Sequence, residues 1–386
     1  MKITYLDNAA TTPVDKKVVE AMLPYFTERY GNASSTHLKG EEARRAIEEA
    51  REIVAKSIGA KYKEIIFTGS GTEANNLVVK GLFWDNQKNK TGKNHIITTK
   101  IEHDCVLNAC KWIEMQGGSV TYLDVDSGGF VNLNQLKEAI TNKTFLVTAI
   151  HGNNEIGTIQ DLEAIGKMCK EKGVLFHTDA CQSFTKVPIN VKKQNVDLMT
   201  LNAHKIHGPK GVGALYIRED LKNKITPLLH GGGHEFNLRS STENVPGIVG
   251  FSKAIKISSF GDVKDMKKMR DYFIEELLKI SNVKLNGANG EKRLCNNINV
   301  CFNNIEGEAI GSFLNSKGIC TSTGSACSSH NLEPSHVLLA LGKSPLEANS
   351  SIRLSISRFT TKEEVDFALE EIKKTVERLR RISPIK

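Results

Sequence analysis

Phe67-Thr68-Gly69-Ser70-Gly71-Thr72-Glu73 carries a short β-rich run through a glycine-rich turn into a helical stretch. The same join recurs along the chain. Residues 64–68, 95–99, 119–123, 145–150, 174–178, 196–201 and 212–217 are short runs rich in β-branched and aromatic side chains. Amphipathic helical patterns fill residues 72–83, 104–115 and 162–171 between them. Such strand–helix–strand alternation predicts an α/β fold, with a mostly parallel seven-stranded sheet covered by helices on both faces. Ligands of such sheets bind in the loops beyond the carboxyl ends of the strands. The residues that follow each strand are therefore the ones to read for chemistry.

The pattern changes near residues 246–265. Pro246-Gly247 precedes a helical stretch. Beyond it, strands expected at 298–302 and 352–357 mix with helices expected at 265–280, 308–317 and 362–381. This predicts a smaller α+β domain.

Composition narrows the class. Of 386 residues, 39% are hydrophobic and 25% charged, enough apolar material for a full core in a soluble protein. No apolar run approaches the roughly 20 residues that span a bilayer, so no membrane association is expected. The opening Met1-Lys2-Ile3-Thr4-Tyr5-Leu6-Asp7 has no apolar signal core, and a cytoplasmic location is the expectation. The charge of 52 − 44 = +8 fits a solvated surface with a lysine surplus. Without a basic–aromatic motif, direct nucleic-acid binding is not expected. None of the eight cysteines forms C-x-x-C, so neither a zinc ribbon nor any other metal site is expected, and most should be buried, reduced thiols.

Four motifs carry chemistry. The turn at Gly69-Ser70-Gly71-Thr72 opens a helix whose unpaired N–H groups suit a phosphate, or it is simply a capped tight turn. In Phe176-His177-Thr178-Asp179-Ala180-Cys181-Gln182 an aspartate ends an apolar strand, where a carboxylate needs a partner: a pyridinium nitrogen, or the N–H groups of a following helix. Asn202-Ala203-His204-Lys205 ends the next strand, and Lys205 lies 205 − 179 = 26 residues after Asp179. Alone, Lys205 would be a surface lysine. A phosphate cradle, a strand-end Asp and a strand-end Lys together are what pyridoxal phosphate requires. Finally, Ser322-Thr323-Gly324-Ser325-Ala326-Cys327-Ser328-Ser329 surrounds one cysteine with small residues, which predicts a mobile exposed loop. Cys327 is then either a nucleophile or an incidental surface thiol.

With these motifs in hand, the sequence resembles the cysteine desulfurases, within the class V aminotransferase-like group of pyridoxal-phosphate enzymes. The resemblance runs from Tyr5-Leu6-Asp7-Asn8-Ala9-Ala10-Thr11-Thr12-Pro13 to Ser351-Ile352-Arg353-Leu354-Ser355. It includes Glu102-His103, Asn153-Asn154-Glu155, Gly231-Gly232-Gly233-His234-Glu235 and Arg239-Ser240-Ser241-Thr242. The long loop with Gly-Ser-Ala-Cys resembles the housekeeping, iron–sulfur-cluster subgroup.

The resemblance implies fold type I of the pyridoxal-phosphate transferases. It implies a large cofactor-binding domain over residues 12–255, with residues 1–11 and 256–386 forming the small domain that carries the cysteine loop. It implies pyridoxal 5'-phosphate as cofactor, linked to Lys205, with His103 stacked on the ring and relaying protons. Asp179 would pair with the ring nitrogen, and Asn154 and Gln182 would lie near the ring substituents. Gly71, Thr72, Asn202 and His204 would surround the phosphate, joined by Thr242 from the second subunit of a homodimer. Arg353 would hold the carboxylate of L-cysteine, a pairing that suits arginine. Cys327 would take the sulfur as a persulfide and leave L-alanine. The acceptor would be an iron–sulfur scaffold protein or another sulfur carrier, including one for tRNA thiolation.

Three positions depart from the family pattern. Asn202 replaces a serine, Phe236-Asn237 replaces Arg-Gly, and Ser241 replaces a glycine beside Thr242, where glycine often marks positive φ. Housekeeping relatives often carry a longer tail than Ile382-Ser383-Pro384-Ile385-Lys386, one that helps dock the scaffold, so the acceptor stays open. Rival activities are a class V aminotransferase or a selenocysteine lyase. From another class comes a catalytically silent partner in cluster assembly. The acceptor-type cysteine argues against the aminotransferase, which needs none.

Overall fold

A computed structural model of the chain describes residues 3–323 and 333–382. In chain order the strands are β1 (Thr4–Tyr5), β2 (Ile65–Thr68), β3 (His95–Thr99), β4 (Ser119–Leu123), β5 (Thr144–Thr148), β6 (Leu175–Asp179), β7 (Leu198–Asn202) and β8 (Gly213–Ile217). They continue with β9 (Val283–Leu285), β10 (Asn297–Phe302), β11 (Ile319–Cys320) and β12 (Ser351–Ser355).

Seven strands form the main sheet in the order β2-β8-β7-β6-β5-β3-β4. The pairs from β4 across to β7 are parallel, and β8 runs antiparallel to both its neighbours. β2, β3, β5, β7 and β8 are buried along their whole length, which is why they read as unbroken apolar or threonine runs. Two apolar cores cover the two faces. One packs Phe176, Met199 and Leu201 against the helices Leu38–Ser57 and Val245–Ile257. The other packs Ile66, Ile96 and Leu146 against the helices Gly71–Lys88 and Asp104–Met115.

A second sheet, β12-β10-β9, is antiparallel. Its core gathers Leu6, Phe273, Ile298, Leu354 and Ile372, covered by the helices Phe260–Leu278, Gly307–Ser316 and Lys362–Ile382. The chain's start joins this part, because β1 pairs with β11 in parallel and Leu6 sits in the core.

Element ends differ from expectation for local reasons. β5 stops at Thr148, short of 150, because the Ile150 N–H leaves the ladder to bond Glu102 Oε1 at 2.8 Å. β6 extends to Asp179 itself, whose backbone pairs with Thr200. β12 ends at Ser355 because the Ser357 N–H turns back to Thr360 Oγ1 at 2.9 Å.

Candidate active site

The carboxyl ends of the main sheet face β12, and between them lies a cavity of about 250 Å³. β2 delivers the first wall. Ser70 caps the helix Gly71–Lys88, its Oγ accepting from the Glu73 N–H at 3.1 Å. Gly71 takes the first helical position. A Cβ there would stand 2.7 Å from Cys181 Sγ, so only glycine brings the helix start this close to the loop after β6. Thr72 follows on the rim of the cavity.

β6 delivers Asp179, which is buried. Its Oδ1 accepts from the Cys181 N–H at 2.9 Å, and its Oδ2 accepts from Asn75 Nδ2 at 2.7 Å. Both alternatives open to this carboxylate are thus in play: it bonds the backbone of the following turn and still lines the cavity. Gln182, three residues later, is fixed by its Nε2 donating to the Ala9 carbonyl at 2.8 Å.

β7 delivers Asn202, buried with Oδ1 lacking any partner among the described residues. Beyond it, Lys205 Nζ donates to the carbonyls of Ala9 and Ala10. Burial, and then the Lys205 charge, push the His204 imidazole down to about 4, so it is neutral at pH 7. Its Nδ1 lies 3.2 Å from Thr11 Oγ1.

β3 leads to His103, the cap of the helix Asp104–Met115. Its Nδ1 accepts from the Cys105 N–H at 3.1 Å, which leaves Nε2 to carry the ring proton. Below it Glu102 is fully buried, and burial pushes its carboxyl up to about 8. Its Oε1 accepts from Thr99 Oγ1 and the Ile150 N–H, tying the ends of β3 and β5 together. Asn154, beyond β5, has a buried Oδ1 without a partner among the described residues. Arg353 enters from β12 and donates through Nη1 to the Asn154 carbonyl at 3.0 Å.

The structure therefore brings Gly71, Thr72, His103, Asn154, Asp179, Gln182, Asn202, His204, Lys205 and Arg353 to one cavity. Thr242 is not among its lining residues and lies exposed on the stretch after Glu235. Cys327 lies outside the described residues. Three lining groups escaped sequence reasoning: Asn75, Cys105 and the carbonyls of Ala9 and Ala10. Asn75 carried a usable signal, since it falls four residues after Gly71 and so shares its helix face.

Four of the seven described cysteines, Cys110, Cys169, Cys295 and Cys301, are buried, as expected of most of them. Burial pushes up Cys110, Cys295, Cys301 and Cys169, the last to about 12. Burial and then Asp179 raise Cys181 well above the ordinary thiol range. The seven described cysteines are free. Among the described residues there is no cluster of His, Cys, Asp and Glu able to hold a metal, and no helix long and apolar enough to cross a membrane.

The departures from the family pattern fall into place. Ser241 has φ 149°, inside the region that favours glycine. Glu235, Phe236 and Asn237 are left-handed in succession. The Phe236 ring lies against the Arg51 guanidinium at 5.2 Å and Lys222 Nζ at 3.5 Å and is not among the residues that line the cavity.

A strand-end lysine, a strand-end aspartate and an open helix start on a sheet of this order define a class of protein, and the comparisons agree. The family model for aminotransferase class-V matches residues 4–367. The cysteine desulfurase IscS of Dictyoglomus turgidum (strain DSM 6724 / Z-1310) is 50% identical over 99% of this chain and 96% of its own length. That of Methanosarcina thermophila is also 50% identical, over 100% and 94%. Among solved structures, a NifS-like protein matches with a TM-score of 0.90 at 39% identity, covering 98% of this chain and 100% of its own. The structure of SspA in complex with cysteine matches at 0.82 and 39%, covering 92% and 99%. This chain belongs to the class-V aminotransferase family and, within it, to the cysteine desulfurases.

Proposed function

We infer that this chain is an L-cysteine desulfurase that leaves L-alanine and a persulfide on Cys327, supplying sulfur for iron–sulfur cluster assembly and, as a further outlet, tRNA thiolation. The observation that carries this is the convergence of Lys205, Asp179, the Gly71 helix start and Arg353 on one cavity.

The residues fit pyridoxal 5'-phosphate. Gly71 leaves room where a Cβ would clash, Asp179 is a buried carboxylate aimed at the same space, and Asn154 has a buried oxygen without a partner among the described residues. When bound, the cofactor supplies an electron sink for the substrate Cα. Gly71, Thr72, Asn202 and the neutral His204 hold the phosphate, and Thr242 of the second subunit completes that shell. Asp179, fixed by Asn75 and the Cys181 N–H, takes the ring nitrogen. His103 would lie against the ring, and Asn154 and Gln182 would hold its substituents. Lys205 would anchor the cofactor through Nζ and, as a free amine, would move the substrate Cα proton. Arg353 holds the substrate carboxylate. The Cys327 thiolate would attack the substrate sulfur: an S–S bond forms as the Cβ–S bond breaks, the electron pair of that bond passes to Cβ, and protons taken up at Cβ and Cα complete alanine.

A homodimer is part of this reading. It is supported by Leu23, Phe26 and Tyr30, 56%, 59% and 67% exposed near the chain's start, and by the exposure of Thr242. We also take residues 12–255 as the cofactor-holding domain and residues 1–11 with 256–386 as the small one, a division supported by the two sheets with their separate cores. The catalytically silent alternative draws no support from Phe236 or Ser241, neither of which lines the cavity.

The test is one set of incubations. The purified protein with L-cysteine and a reductant should release alanine and sulfide with no keto acid present. Mass spectrometry after a single turnover should find the extra sulfur on Cys327, and Cys327→Ser should lose it. Alanine formation that requires a keto acid would replace this reading with the aminotransferase.

A further inference from the structure

Arg353 is 1% exposed, and its nitrogens stand in three different situations. Nη1 donates to the Asn154 carbonyl at 3.0 Å. Nη2 donates to Asp7 Oδ1 at 2.9 Å. Nε is buried with no partner among the described residues. A guanidinium has five N–H donors in a rigid fork. A carboxylate that enters the cavity and bonds Nε therefore shares this cation with a carboxylate already seated on it.

Asp7 is held there by its own chain. Residue 7 makes a β-bridge to Ser355, two residues beyond Arg353 on β12. Asn8 Nδ2 donates to the Ser355 carbonyl at 2.8 Å, and the Tyr5 hydroxyl donates to the Asp7 and Thr11 carbonyls. Leu6 is sunk in the core beside β12. The Asp7 side chain is 18% exposed, so water screens it only in part.

We propose that Asp7 sets how tightly the cavity grips the carboxylate of an α-amino acid: it orients Arg353 through Nη2 while its negative charge weakens the hold on substrate and product alike. This rests on Arg353 being the carboxylate site, as inferred above. Asp7 is a positioning residue, since it touches the guanidinium and lies outside the cavity lining. Two like charges on one buried cation repel through a low effective dielectric. The physical result is a site that binds amino acids less tightly than its arginine alone would, and lets alanine go.

Titration of the holoenzyme with L-alanine, followed by its visible absorption, tests this. Asp7→Asn keeps an oxygen on Nη2 and removes the charge. Its dissociation constant for L-alanine should fall about threefold or more. Ethylamine, an amine without a carboxylate, should bind both proteins equally. Asp7→Ser, which also removes the charge, serves if the asparagine variant does not fold. Unchanged or weaker alanine binding in the variant overturns the proposal, and so does an equal shift for ethylamine. Arg353→Gln separates the two layers. If it binds L-alanine as the wild type does, the Arg353 assignment fails and Asp7 falls with it. If it loses L-alanine while Asp7→Asn gains nothing, only the role of Asp7 falls.

Discussion

Arg51, on the helix Leu38–Ser57, and Arg353, on β12, are both almost wholly buried and both touch a carboxylate, yet their remaining donors fare differently. Arg51 meets both oxygens of Glu235, at 2.6 and 2.9 Å, bonds the Ile65 carbonyl at 2.8 Å and reaches Glu48 through Nε. Phe67 and Phe236 lie against its guanidinium at 4.9 and 5.2 Å. Every nitrogen is engaged. Arg353 has one carboxylate, one carbonyl and, among the described residues, no partner for Nε. A buried cation that is fully bonded holds the fold together. One left with a buried donor to spare costs stability that a ligand repays.

The largest effects should separate these two residues cleanly. Arg353→Gln is expected to lower kcat/KM for L-cysteine about 100-fold or more, with a melting temperature near that of the wild type. Arg51→Met leaves Glu235 buried without its partner, a loss of about 3–5 kcal/mol. It should melt about 5 °C lower or more, while the protein that remains folded keeps kcat/KM within about threefold. Thermal melts and initial rates on both variants check this. The contrast collapses if Arg51→Met loses turnover at an unchanged melting temperature.

Glu102 sharpens the comparison, because its Oε2 too is buried without a partner among the described residues, and it does not line the cavity. Its answer is a proton. Burial raises its carboxyl from 4.5 to about 8, so the folded chain keeps a proton that the unfolded chain gives up. The stability linked to that proton is complete below about pH 4.5 and is lost as pH rises towards 8. Glu102→Gln keeps the oxygen that bonds Thr99 and Ile150 and has nothing to titrate. Between pH 5 and 8 the wild type should therefore lose melting temperature relative to this variant. Parallel pH profiles for the two proteins would mean that Glu102 is ionised in the fold.

Asn202 supplies the smallest test. It is buried in the cavity wall, and its amide N–H groups are the ones able to donate to a phosphate. Asn202→Ser is expected to change the dissociation constant for pyridoxal phosphate by about threefold or more without altering the products. Equal constants from dialysis or fluorescence titration would place Asn202 away from the phosphate.

Much of this could be read from the residues. The alternation of β-rich and helical runs gave the seven strands and their class; Asp179 stood out because a charge at an apolar strand end needs a partner, and Lys205 gained meaning only beside it and the glycine-rich turn. Other features are silent in sequence. β8 runs antiparallel among parallel neighbours because the turn at residues 203–212 brings it straight back beside β7, and a short apolar run looks alike in either direction. The pairing of Asp7 with Arg353 spans 346 residues and follows only from the bridge to Ser355. The Arg51–Glu235 pair spans 184, and nothing in either neighbourhood announces the other.

The seat of the Lys205 amine has an experimental cost. Its acceptors are the main-chain oxygens of Ala9 and Ala10, and the Gln182 amide leans on the first of these as well. Both positions are already alanine, so a scan that truncates side chains one by one would pass over the floor of the cavity without a signal. Its contribution becomes visible only when the backbone itself is edited, for example by replacing the amide that follows Ala9 or Ala10 with an ester, whose carbonyl is a poorer acceptor for the lysine.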